Sequence, residues 1–105
     1  MTNLQLATTK EIVREFGSRL RAHRMASSMT QDELATRAGV ALGSVKKLES
    51  TGLTTLETFV RVAQTLSLVG EFENFLVLRP RTSIAEMERA ELSVRKRAPR
   101  RTSAP

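Results

Sequence analysis

The stretch Met29-Thr30-Gln31-Asp32-Glu33-Leu34-Ala35-Thr36-Arg37-Ala38-Gly39-Val40-Ala41-Leu42-Gly43-Ser44-Val45-Lys46-Lys47-Leu48-Glu49 decides the fold. A helix leaves its first backbone N–H groups unpaired. A Thr followed three residues later by Glu satisfies two of them reciprocally, so Thr30 with Glu33 predicts a helix start. From Gln31 to Ala38 the apolar positions Leu34, Ala35 and Ala38 share one face, and Gly39 stands where a left-handed C-terminal residue is needed. After about three residues of turn a second helix is predicted, roughly Leu42 to Ser50, with Val45 and Leu48 inward and Gly52 able to end it. Two short helices joined by such a turn, the second polar on its outer face, form a helix-turn-helix corner.

Three more Thr or Ser residues stand three positions before a Glu and open an apolar helical pattern: Thr8 with Glu11, Thr54 with Glu57, and Ser83 with Glu86. The first predicts a helix to about Ala26 carrying Ile12, Phe16 and Leu20 on one stripe, locally weakened by Gly17. The second predicts a core helix, Thr55 to Leu66, with Leu56, Phe59, Val62, Ala63 and Leu66 inward. Gly70 to Phe75 reads as a short fifth helix beside the apolar Phe72, Phe75 and Leu76. Phe75 to Arg79 is the one stretch compatible with a strand, so the expected class is all-α. Pro80 breaks the chain, and Ser83 opens a sixth, amphipathic helix with Ile84, Met87, Glu91 and Leu92. The expected organisation is an N-terminal extension over 1–7, a five-helix domain over 8–78, an amphipathic segment over 79–94 and a disordered basic tail over 95–105.

With 105 residues, of which 40% are hydrophobic, one modest core is feasible and part of the chain lies outside it. The net charge of +6 is unevenly placed. Arg95, Lys96, Arg97, Arg100 and Arg101 give the tail +5 without an acid. Residues 1–94 hold the other 12 of 17 basic groups against all 11 acids, a net of +1. Such a tail reads either as an arm for phosphates or an acidic partner surface, or as a solvated end. The absence of Cys excludes disulfides and thiolate metal sites. The longest apolar run, Phe75 to Leu78, is far short of a membrane span, and the N-terminus lacks a secretory pattern, so a cytoplasmic location with no membrane contact is expected. With one His, no Cys, Tyr or Trp, and no phosphate-cradling glycine loop, no catalytic residue, cofactor or metal is expected. His23 reads as an exposed helix residue without a second ligand, and Glu86, Glu88 and Glu91 as a solvated face.

The inward Val45 and Leu48 leave Leu42, Gly43, Ser44, Lys46 and Lys47 facing outward, the candidate DNA-facing set of a helix sized for a major groove. Thr30-Gln31-Asp32-Glu33-Leu34-Ala35, then Ala38-Gly39-Val40, then a helix ending in Glu49, resembles the Cro/CI (XRE-type) helix-turn-helix domains. The resemblance covers about residues 16–76, including Leu56-Glu57-Thr58-Phe59-Val60-Arg61-Val62-Ala63-Gln64-Thr65-Leu66. It implies a lambda-repressor-like fold, with Gln31 approaching a phosphate at the helix end, its alternative being a first-turn residue facing water. It also implies a structural ion pair between Arg24 and Glu49. The chain departs from the pattern at Leu42 and Gly43, which cannot hydrogen-bond a base. It departs again at Ala41, which replaces a Ser or Thr cap at a typical cost of about 1 kcal/mol.

One such domain reads about half an operator, so a homodimer on a palindromic double-stranded DNA site is expected. Leu68, Phe72, Phe75 and Leu76 are the candidate dimer interface; the alternative is that they close the monomer's own core. The arrangement after Leu68 is similar to HipB-like antitoxins, which accompany HipA-like kinases. The leading expectation is therefore a DNA-binding repressor that is the antitoxin and autorepressor of such a pair. The alternatives are a phage or mobile-element repressor without a toxin, and a protein-interaction adaptor that has lost DNA binding.

Overall fold

The computed structural model describes residues 3–78, together with residues 80, 89 and 91. Four α-helices follow one another, α1 (Thr9–Ala26), α2 (Gln31–Ala38), α3 (Leu42–Thr51) and α4 (Leu56–Thr65), and no strand occurs among the described residues. Asn3 caps a short 3-10 turn, Leu4–Leu6, ahead of α1. The four helices lie within a compact unit that ends at Phe75, and the chain from Leu76 onward forms a second unit. Of that second unit, Arg89 and Glu91 are helical. The cap expected at Ser83 and the basic tail lie outside the described residues.

The helix starts follow from their caps. Thr8 accepts from the Glu11 N–H at 3.2 Å while Glu11 accepts from the Thr8 N–H at 2.9 Å, and Thr30 and Glu33 repeat the exchange at 3.0 and 2.8 Å. At α4 the start shifts by one residue from expectation. Thr55, with extended backbone, accepts from the Thr58 N–H at 3.1 Å, and Glu57 instead pairs with Arg61 one turn on, at 3.0 Å. Three helix ends close alike. The residue after the left-handed position reaches back to a carbonyl five earlier, as in Val40 to Ala35, Met29 to Arg24 and Leu68 to Ala63. Gly39 occupies the left-handed place in α2, but Ser28 and Ser67 occupy it after α1 and α4.

The core is built by Leu20 of α1, Leu34, Ala35 and Ala38 of α2, Val45 and Leu48 of α3, Val62 of α4 and Leu66 at its C-terminal cap. Met29, Val40, Phe59 and Leu68 pack against it. α3 sits in the middle, packed on α1 and on α2, while α4 packs on α2. Gly17, expected only to weaken α1, is buried where the helices cross. A Cβ there would strike the Leu48 carbonyl oxygen and would lie 3.3 Å from that of Glu49. Gly52 is its counterpart: φ is +79°, and a Cβ would strike the Val13 carbonyl. The two glycines let α1 and the end of α3 touch backbone to backbone.

Two further expectations need correction. Leu56, assigned to the core stripe, is 76% exposed, because the first residue of α4 projects beyond the layer that Phe59, Val62 and Leu66 fill. The fifth helix is a single 3-10 turn, Val69–Phe72, continued by i to i+3 bonds from Glu73 to Gly70 and Phe75 to Phe72. Leu68 offers it no side-chain cap, Gly70 lowers its helical propensity, and Leu76, at φ +64°, leaves the helical region of the backbone. Nor do the described residues of Phe75 to Arg79 form a strand.

Candidate nucleic-acid interface

The amphipathic period of α3 separates its faces cleanly. Val45 and Leu48 are sealed inside, and Glu49 is buried. On the other side Gly43, Lys46 and Lys47 are exposed, Leu42 is at the exposed margin, and Ser44 is half-buried. Neither lysine makes an ion pair among the described residues, whereas Arg19 and Arg61 are held by Glu15 and Glu57. The outward set expected from the periodicity therefore stands together on one helix face, with two cations, unpaired among the described residues, about one turn behind its leading end. At that end Ala41 has the extended backbone of a cap residue, φ −70° and ψ 145°, but makes no side-chain cap bond.

Beneath the helix lies a buried polar cluster. Arg24 forks onto Glu49, with Nε donating to Oε2 at 2.7 Å and Nη2 to Oε1 at 3.0 Å, while Nη1 donates to the Met29 carbonyl at 2.7 Å. This matches the expected Arg24–Glu49 pair and adds a third anchor, the backbone between α1 and α2. Among the described residues no buried side-chain polar atom lacks a partner, which is the condition under which a buried ion pair is tolerated. The hydrogen bonds to Glu49 hold the Arg24 guanidinium above its ordinary pKa against the opposing effect of burial, and the Glu49 charge adds to the rise.

Gln31 has a use that neither sequence reading anticipated. Its Nε2 donates to Glu49 Oε1 at 3.0 Å, so the half-buried side chain joins the first turn of α2 to the ion pair under α3. The signal that would have found this contact lies eighteen residues away in the chain and is not local. Gly17 is the other residue that local reasoning missed, since only the crossing of α1 with α3 reveals its purpose.

The four residues proposed for dimer contact fall into two groups. Leu68 packs on the core, and the Phe72 ring lies 5.9 Å from that of Phe59. Phe75 and Leu76 are exposed, followed by exposed Val77 and Leu78. His23 is exposed in the last turn of α1. Among the described residues no three His, Asp or Glu side chains are grouped to hold a metal ion, and no helix is long and apolar enough to cross a membrane. No protein-family model matches this chain, and a comparison with curated proteins finds no match.

Proposed function

We propose that the chain is a helix-turn-helix DNA-binding repressor of the Cro/CI type, with a lambda-repressor-like domain that lays α3 in a major groove. In this reading Lys46 and Lys47 supply cations to phosphates or guanine edges, and α2 grips the sugar-phosphate backbone from its first turn. The observation that carries it is the single face of α3 on which Lys46 and Lys47 stand exposed, without an ion-pair partner among the described residues. The opposite face of the same helix is locked by Val45, Leu48 and the Arg24–Glu49 pair. A rigid helix with an exposed cationic face suits a polyanion; a catalytic centre needs converging groups that this face lacks.

The protein acts as a homodimer on a palindromic operator, with the exposed Phe75 and Leu76 as the dimer contact. It serves as antitoxin and autorepressor beside a HipA-like kinase toxin. Beyond that contact, the exposed Val77 and Leu78 and the basic tail leave surface for a further protein partner. Electrophoretic shifts on the protein's own promoter at graded salt test the DNA reading. Lys46→Ala and Lys47→Ala should each weaken binding and lower the salt slope by about one. A flat titration at low salt, or two lysine variants indistinguishable from the parent, would refute it. Co-purification with the kinase-like product of the neighbouring gene tests the toxin partnership.

A further inference from the structure

We infer that the leading edge of α3, Ala41–Leu42–Gly43, selects DNA by the C5-methyl groups of thymines, an inference that rests on the DNA-binding reading above. Three consecutive positions at the front of the helix carry no polar side-chain atom. Ala41 makes no cap bond, Leu42 is 36% exposed, and a Cβ on Gly43 would meet nothing within 4 Å.

Several polar side chains of α2 and α3 already hold a bond within the protein. Ser50 and Thr51 donate their hydroxyls to the Lys47 carbonyl at 3.4 and 2.7 Å, and the Gln31 amide donates to Glu49. Ser44 is half-buried, and Lys46 and Lys47 are donors only. The front of the helix is therefore a small apolar wedge with cations behind it.

In the major groove the thymine methyl is the apolar feature on the base edges. Leu42 buries against it with gain, and Gly43 leaves room for the backbone to approach. A cytosine amino group or adenine edge set against Leu42 loses its water without a replacement hydrogen bond. Discrimination at these positions thus comes as much from rejecting polar edges as from accepting the methyl.

The experiment uses the full chain and a duplex that the chain itself selects from a random-sequence pool. Replacing thymine by uracil in the selected site removes only the methyl. Each methyl buried by Leu42 should then account for about a fourfold loss of affinity, the ratio equivalent to ~0.8 kcal/mol. Leu42→Ala, at a surface position where folding is checked by circular dichroism, should bind the thymine and uracil duplexes alike. Lys46→Ala should weaken both while keeping their ratio. Equal binding of both duplexes by the parent chain, or a selected site without thymine, overturns the inference and leaves the DNA-binding reading standing. Selection of no duplex at low salt overturns both.

Discussion

Two helical glycines, Gly17 in α1 and Gly43 in α3, should respond to the same substitution with opposite sign. By helix propensity alone, Gly→Ala in a helix gains about 1 kcal/mol in the interior and less in the first turn. Gly43 is exposed with open space at its Cβ position, so only this gain applies, and Gly43→Ala should stabilise by about 0.5 kcal/mol. At Gly17 the new methyl meets the backbone carbonyl of Leu48, with the Gly52 nitrogen at 3.2 Å and the Glu49 carbonyl at 3.3 Å behind it. These are backbone atoms, so no side-chain rotation relieves the clash and the helices must separate. A gap of roughly 0.5–1 Å forfeits a quarter to a half of the dispersion attraction across the contact. Overpacking of this kind costs about 3 kcal/mol, and after the propensity gain the net loss is about 2 kcal/mol. Thermal unfolding by circular dichroism should show Gly17→Ala about 10 °C below the parent and Gly43→Ala a few degrees above it. A Gly17→Ala protein as stable as the parent would refute the backbone crossing of α1 on α3.

Arg24→Met leaves Glu49 charged in a site where its side chain is 3% exposed, and should destabilise by about 3–5 kcal/mol in urea unfolding. The double change with Glu49→Leu should recover most of that loss, since both charges then leave together. The Thr30 N–H, aided by the Thr30 side chain and the Arg37 charge, holds the Glu33 carboxyl below the usual glutamate range. A depressed folded pKa stabilises above the unfolded value and stops doing so as pH falls through the folded one. Carboxyl NMR titration should therefore place Glu33 low in the parent and only slightly higher in Thr30→Ala, which keeps the N–H and loses the side-chain bond. The lost side-chain cap of α2 should by itself cost about 1 kcal/mol in thermal unfolding. Ala41→Ser, at a position whose extended backbone already suits a cap, should raise stability by about 1 kcal/mol. An unchanged melting temperature would show that the start of α3 gains nothing from a cap.

The sequence by itself determined what depends on neighbours within about one helical turn. The boxes at Thr8 and Thr30, the left-handed Gly39 and Gly52, and the inward spacing of Leu34, Val45, Leu48 and Val62 are all decided by such short separations. Because inner positions define outer ones, the exposed face of α3 was legible from the same spacing. The Arg24–Glu49 pair was legible through resemblance alone, since its partners stand 25 residues apart. The tertiary structure decided the rest. It moved the α4 cap to Thr55, where a competing i,i+4 pair engages Glu57, and exposed Leu56 at the rim of its layer. It drew Gln31 into the ion pair and made Gly17 a contact between backbones. Caps and apolar stripes are local energies repeated along one helix. The distance at which two helices cross, and the side chain that reaches a buried charge, depend on atoms the chain brings together only when folded.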